Sequence, residues 1–181
     1  IGQYGAFAAV KPTAGYSATV DEFYGERDAR ERMRVKSHSL QKLLNNLIDR
    51  TARKINKQRA ELERCGNREQ LRICGDLLHA NLYRIPRGAA AAEVENFYDE
   101  NGGTIRIPLN PALSPAANAQ KYYKEYQKAK TAETVLAEQI EKGGAELRYL
   151  ESVADSVERA ENERELSQIR EELTEQGYLR R

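Results

Sequence analysis

The sequence has no tryptophan and only three phenylalanines, and aromatic residues make up 7% of it. With a mean hydropathy of −0.78, that is too little bulky apolar material for a large round core, although 181 residues fit one ordinary domain. Long apolar runs are missing as well. Pieces such as Ala6 to Val10 are the longest, far short of the roughly 20 residues that span a bilayer, so no membrane partner is expected. No basic, apolar and small-residue succession of the signal-peptide kind opens the chain, and the start at Ile1 rather than Met leads us to expect an excised fragment. Cysteine is scarce: Cys65 and Cys74 are too few for a disulfide framework and lack CxxC spacing. Buried free thiols in a reducing cytoplasm are the simplest reading. Charge of one sign is absent too, since 29 Lys+Arg face 28 Asp+Glu, which excludes a strong uniform field.

What is present is charge in quantity, 31% of residues, in a chain rich in Ala, Glu, Lys, Leu and Arg. That composition suits long helices with charged flanks and predicts an elongated molecule. Residues 1–17, punctuated by Gly2, Gly5, Pro12 and Gly15, read as the fringe of an upstream region. Thr19 and Glu22 have capping-box spacing and open an outgoing helix over 18–66, with Leu40, Leu44, Leu47, Thr51, Ile55 and Leu62 along one face. Such a helix is on the order of 65 Å long and needs a partner along its length. Gly66 suits its end, and Asn67, with Gln70 three residues on, suits a cap for the next helix. Residues 67–113 then form a small subdomain. A helix to about Tyr83 carries Leu71, Ile73, Cys74, Leu77, Leu78 and Leu82, and Ala89 to Ala92 lead into a hairpin around Asp99-Glu100-Asn101-Gly102-Gly103. Pro108 ends its second strand or keeps it at an edge, and the hairpin is expected to pack on the helix.

Ser114-Pro115 starts a return helix over 114–160. Its Leu136, Ile140, Gly143, Leu147, Leu150, Ala154 and Val157 alternate spacings of four and three, a coiled-coil seam. Gly143-Gly144 marks a bend or a close approach of two backbones. Asn162 with Glu165 restarts a short base helix in 161–181 that ends at Gly177. Residues 30–64 hold 11 basic and 4 acidic side chains, and residues 131–175 hold 5 basic and 13 acidic. The two arms are therefore complementary, and the expected fold is mainly α: a long antiparallel two-helix coiled coil with a small α/β tip.

Residue chemistry argues for contact rather than catalysis. His38 and His79 stand apart without ligands at metal spacing. No phosphate loop, nucleophile elbow or His-Glu-x-x-His is found, so no enzyme activity, cofactor or metal is expected. Carboxylate pairs such as Glu171-Glu172 lie on polar, solvated helices. The basic clusters say more. Arg50, Arg53, Lys54, Lys57 and Arg59 follow one another without an acid, and Lys121, Lys124 and Lys128 share one helix face beside Tyr122, Tyr123 and Tyr126. Such a face can lie along phosphates, or the tyrosines can pack the tip while the lysines form a solvated edge.

Several linked motifs resemble one family. Leu77-Leu78-His79-Ala80-Asn81-Leu82-Tyr83 and Asn96-Phe97-Tyr98-Asp99-Glu100 are followed by Ile107-Pro108-Leu109-Asn110-Pro111 and by Asn118 through Tyr126. With Phe23-Tyr24-Gly25-Glu26 at the entry and Glu171-Glu172-Leu173 and Gly177-Tyr178-Leu179 at the close, the chain resembles the bacterial NFACT family, of the RqcH or fibronectin-binding-protein type, with NEMF as eukaryotic relatives. The resemblance covers almost the whole chain and points to its middle coiled coil. It implies a ribosome-associated quality-control factor that binds stalled large ribosomal subunits, at stalk-base RNA and protein. Its other domains would recruit alanyl-tRNA for C-terminal alanine tailing. The residue pair associated with tailing lies in an N-terminal domain absent here. This fragment is then expected to be a lever, with Arg84, Arg87, Arg106, Lys121, Lys124 and Lys128 as candidate ribosome contacts and Arg50, Arg53, Lys54 and Lys57 as a secondary basic patch. The alternatives are a surface adhesin fragment that binds fibronectin, as the older family name suggests, and a purely structural spacer.

Overall fold

The computed structural model describes the backbone from residue 11 and the side chains from residue 18 to Arg181. The fringe region read over residues 1–17 therefore lies outside the described residues, apart from the backbone of its last part. In order, the elements are α1 (Lys11–Cys65), α2 (Arg68–Ala80), β1 (Ala91–Glu95), β2 (Thr104–Pro108), α3 (Pro115–Arg159) and α4 (Glu163–Glu175). Helix makes up 74% of the described residues, so the fold is mainly α, with two long helices and a small two-stranded antiparallel sheet.

Several ends differ from the sequence expectation. α1 begins at Lys11 and not at Thr19. Thr19 and Glu22 therefore lie inside the helix and not at its start. At the far end Gly66 does not adopt the left-handed conformation; among the described residues only Gly88, Gly102 and Gly177 have positive φ. The Gly66 N–H donates to Glu63 O at 3.0 Å instead. Asn67, at φ −82° and ψ 6°, makes no side-chain cap bond to α2. The junction is thus a tightened helical turn. α2 stops at Ala80 rather than near Tyr83, because the Asn81 side chain donates to Leu77 O at 2.8 Å and competes for the last turn. A short 3-10 turn, Leu82–Arg84, follows.

The other terminal signals act as expected. Ser114 Oγ accepts the Ala117 N–H at 3.1 Å, with Pro115 as the first helical residue of α3. Asn162 Oδ1 accepts the Glu165 N–H at 3.0 Å. α4 ends in a Schellman motif: Gly177, at φ +85°, donates to Thr174 O, and the Tyr178 N–H reaches back to Leu173 O at 2.9 Å.

The chain divides into two compact units. One, Thr51–Glu146, contains the hairpin. Its core joins Cys74, Leu77 and Leu78 of α2 to Ala92 and Val94 of β1, Ile107 of β2, Ile85, Leu109 and Ala119. The register Ala92↔Ile107 and Val94↔Ile105 puts these apolar side chains on one face of the sheet, with Glu93, Glu95, Thr104 and Arg106 on the other. Ala91 and Ala92 thus belong to β1 itself, Ala89 and Ala90 precede it, and Phe97 and Tyr98 belong to the turn. Within this unit the Gln58 amide donates to Gln139 at 3.2 Å and Arg68 pairs with Glu133. From Ile55 to Gln58 along α1 the facing α3 residue falls from Gly143 to Gln139, which makes the pairing of these two helices antiparallel. α3 runs unbroken through Gly143-Gly144. A Cβ at Gly143 would lie 2.9 Å from Cγ1 of Ile55, so the glycine marks a close approach.

The second unit comprises the chain up to Arg50 and Leu147–Arg181. Leu40 and Leu44 of α1, Leu150, Val153 and Val157 of α3, and Leu166 and Leu173 of α4 form its core. Burial of each leucine is worth about 2–3 kcal/mol. Arg32 and Lys36 reach Glu163 at 3.2 and 3.5 Å. Their sign follows the charge asymmetry of the arms, but such exposed pairs contribute only about 0–1 kcal/mol each.

Candidate functional site

In the hairpin unit the helical repeat places Lys121, Lys124 and Lys128 on one exposed edge of α3. None of the three makes an ion pair among the described residues, and their charges face solvent. The edge is held from beneath. Tyr122, half-buried, donates its hydroxyl to Pro108 O at 2.6 Å, which ties α3 to the end of β2. Asn118, 3% exposed, accepts the Asn110 N–H at 2.9 Å and donates to the carbonyls of Asn110, Leu113 and Ser114. A cleft of about 450 Å³ opens there between Pro108, Pro111, Tyr122 and the Lys121 stem.

Tyr123 turns to α2. Its hydroxyl donates to Asp76 Oδ1 at 2.5 Å, and Tyr98, from the hairpin turn, donates to Asp76 Oδ2 at 2.5 Å. Arg72 approaches the same carboxylate at 3.3 Å and lies 5.6 Å from the centre of the Tyr98 ring. The two tyrosine bonds hold the Asp76 carboxyl below its ordinary range. Burial, then the bond to Asp76, pushes Tyr123 up to about 12. Room for the Tyr123 ring comes from Gly75, where a Cβ would meet ring carbon at 2.9 Å. Tyrosines 122 and 123 are therefore packing groups, and only the lysines of that cluster face outward.

The remaining candidate cations lie elsewhere on the unit. Arg84 stands 5.5 Å from the centre of the 78%-exposed Tyr83 ring. Arg87 is exposed in the following loop, and Arg106 is exposed on β2 directly opposite Glu93. Arg53, Lys54 and Lys57 are exposed on α1; Arg50, also exposed, falls in the other unit. Lys54 borders a small groove of about 170 Å³ beside Ile55 and Gly143. Cys65 and Cys74 are free and buried, and burial raises the Cys74 thiol. No group of three His, Cys, Asp or Glu side chains able to hold a metal occurs among the described residues. Nor, among them, is any helix long and apolar enough to cross a membrane. Sequence reasoning missed Asp76 and Arg72. The available signal was Gly75, a glycine inside an apolar helical face.

Known proteins place this geometry in a lineage. The family model of NFACT N-terminal and middle domains matches residues 3–181. The chain belongs to the NFACT family. It is 40% identical over 164 residues to the Rqc2 homolog RqcH of Bacillus subtilis (strain 168), covering 91% of this chain and 29% of that relative. It is 35% identical over 171 residues to the Rqc2 homolog RqcH of Streptococcus pneumoniae serotype 2, covering 94% of the chain and 30% of the relative. This NFACT chain thus spans less than a third of the length of those curated relatives. Among solved structures, the C-terminal part of the fibronectin/fibrinogen-binding protein from Streptococcus suis matches with a TM-score of 0.53 and 28% identity, over 83% of this chain and 46% of that one. That similarity supports the mainly α fold of this NFACT segment.

Proposed function

We propose that this chain is the ribosome-contacting segment of a ribosome-associated quality-control factor, and that Lys121, Lys124 and Lys128 of α3 lie along RNA phosphates of the large subunit. Membership of the NFACT family and the similarity to RqcH proteins support the assignment to that process. The observation that carries the contact is the unpaired lysine edge, backed by two tyrosines whose hydroxyls are already engaged in the fold. Arg84 and Arg87 extend the cationic set. Arg106, opposite Glu93, is its weakest member, because the facing carboxylate offsets its charge. In this reading the long helices act as a lever between the end domains of the complete protein. Recruitment of alanyl-tRNA and alanine tailing belong to those other domains, this segment catalyses nothing itself, and the protein works in the cytoplasm.

The test is co-sedimentation of the full-length protein with purified large subunits across a salt series. Lys121→Glu, Lys124→Glu and Lys128→Glu together lower affinity most at low salt. They also flatten the salt dependence by about one unit of slope per lost phosphate contact. Unchanged binding at every salt concentration overturns the assignment. A second reading, fibronectin binding, is favoured by the name of the Streptococcus suis neighbour. Saturable binding of immobilised fibronectin by the full-length protein, with no binding to subunits, would establish it instead.

A further inference from the structure

Resting on the ribosomal reading above, we propose that the cleft beside Lys121 receives one unpaired guanine of the RNA whose phosphates follow the lysine edge, and that Glu125 reads it. Glu125 is the anomaly of that edge. It is exposed one helical turn from Lys121 and three residues from Lys128, and among the described residues it makes neither an ion pair nor a hydrogen bond. A carboxylate on a face that lies along phosphates repels them, unless a donor group meets it. The cleft that it borders is formed in advance. Pro108 and Pro111 wall it, each with φ fixed by its ring. The Tyr122 hydroxyl is engaged on Pro108 O at 2.6 Å, which leaves the ring as an apolar lining surface. Asn110 is pinned at both ends: its N–H goes to Asn118, its Oδ1 accepts the Ala112 N–H at 3.0 Å, and its carbonyl accepts the Leu113 N–H at 3.1 Å. The volume of about 450 Å³ is in the range of small-molecule sites, and so preformed a cleft loses little conformational entropy on binding.

Hydrogen-bond chemistry selects the base. Unstacked RNA bases are held on aromatic rings and read at their Watson–Crick edges. An ionised carboxylate only accepts, and its two oxygens suit two parallel donors. Among the four RNA bases guanine alone presents such a pair, N1–H beside the N2 amino group. Its O6, on the same edge, accepts and suits the Lys121 ammonium, whose residue stands about 6 Å from Glu125 along the helix axis. Adenine and cytosine set one amino group beside a bare ring nitrogen that a carboxylate repels, and uracil flanks its N3–H with two carbonyls. Lys124 and Lys128 are then left for the neighbouring phosphates. A free guanine nucleotide carries the same edge, but a row of cations that continues along α3 beyond the cleft fits a strand.

The experiment treats purified large subunits with kethoxal, which modifies N1 and N2 of unpaired guanines, with and without the full-length protein. The unsubstituted protein is expected to protect a guanine that stays reactive under Glu125→Gln, a substitution that keeps size and helix propensity. Dimethyl sulfate, which reports adenine N1 and cytosine N3, is expected to show no change that depends on Glu125. Affinity adds a test of sign. If Glu125 only repelled phosphates, Glu125→Gln would tighten co-sedimentation; loss of a two-donor base contact weakens it about tenfold. GMP added to the full-length protein alone is the free-nucleotide arm. Saturable GMP binding with no protected guanine in the subunit assigns the cleft to a nucleotide and overturns the RNA occupant. The same guanines protected by both proteins, no protected guanine while the protein still co-sediments, or equal or tighter binding by Glu125→Gln overturns this inference alone. Failure of the unsubstituted protein to co-sediment overturns the ribosomal reading and this inference with it.

Discussion

Gly143 is the position where the helix pairing makes its sharpest demand. In an ordinary helix interior Gly→Ala stabilises by about 1 kcal/mol, because alanine loses less backbone entropy. Here the new methyl carbon would sit 2.9 Å from Cγ1 and 3.4 Å from Cδ1 of Ile55, whose side chain is only 5% exposed. Cγ1 is close to the α1 backbone and cannot swing aside as a flexible tip could, so relief requires a rotamer change or separation of the helices, costing about 1–3 kcal/mol. Gly143→Ala should therefore be neutral to destabilising, by about 0–2 kcal/mol once the propensity gain is set against the clash. Ile55→Ala alone should cost about 2–5 kcal/mol through lost burial and a cavity. In that background the clash is gone, and Gly143→Ala should become stabilising by about 1 kcal/mol. The decisive quantity is this change of sign, a coupling of about 1–3 kcal/mol in a double-mutant cycle. Urea unfolding followed by circular dichroism at constant m reads it directly. If Gly143→Ala stabilises equally in both backgrounds, the close approach is refuted.

The α4 unit offers a paired test of its helix ends. Asn162→Ala should cost about 0.5–2 kcal/mol by freeing the Glu165 N–H, and Gly177→Ala about 1–2 kcal/mol by forcing a Cβ into the left-handed region. Both are read from thermal midpoints, and no change at either site would remove the cap assignment there. Alkaline titration probes Tyr123 and Tyr149, both pushed up to about 12, by burial first and then by bonds to Asp76 and Glu172. Since the ordinary tyrosine value is near 10, their contribution is complete below pH 10 and declines as pH rises from about 10 to 12. Tyr123→Phe and Tyr149→Phe together should flatten stability over that window relative to the unsubstituted protein, and an unaltered slope would refute the coupling.

Much of the architecture was legible because it rests on repeats and end signals that are local in sequence. The alternation of four and three along Leu136 to Val157 located the α3 face, and Leu136, Leu150 and Val157 are buried. Ser114-Pro115, Asn162 and Gly177 act through neighbours within a few residues, so their roles could be read without a fold. The errors have equally local causes. Thr19 and Glu22 carry capping-box spacing, but such a box needs a chain that enters from outside the helix, and α1 already starts at Lys11. Gly66 permits a left-handed end without demanding one. Asp76 was invisible for a different reason: its partners Tyr98 and Tyr123 lie 22 and 47 residues away, and no periodicity links a helix, a turn and a second helix through one carboxylate.

That carboxylate bears on both proposed contacts. Asp76 holds Tyr98 of the hairpin, whose second strand ends at the cleft, and Tyr123 within the α3 segment that carries Lys121, Lys124 and Glu125. One side chain thus fixes the hairpin side of the cleft relative to the cationic edge inside a single compact unit. Asp76→Ala removes two charge-assisted acceptors and should cost about 1–3 kcal/mol. Because its carboxyl is held below the ordinary range, the same contribution is present at neutral pH and is lost as pH falls through that lowered value. The functional consequence is separable from the loss of stability. If two surfaces must engage one subunit together, loosening their relative geometry weakens binding beyond either contact alone. Asp76→Ala in the full-length protein, assayed at a temperature where circular dichroism shows it folded, should then reduce subunit affinity although Asp76 touches no partner. Asp76→Asn, which still accepts at one oxygen, should recover part of the loss. Equal affinity for all three proteins would show that the two surfaces do not act as one rigid contact.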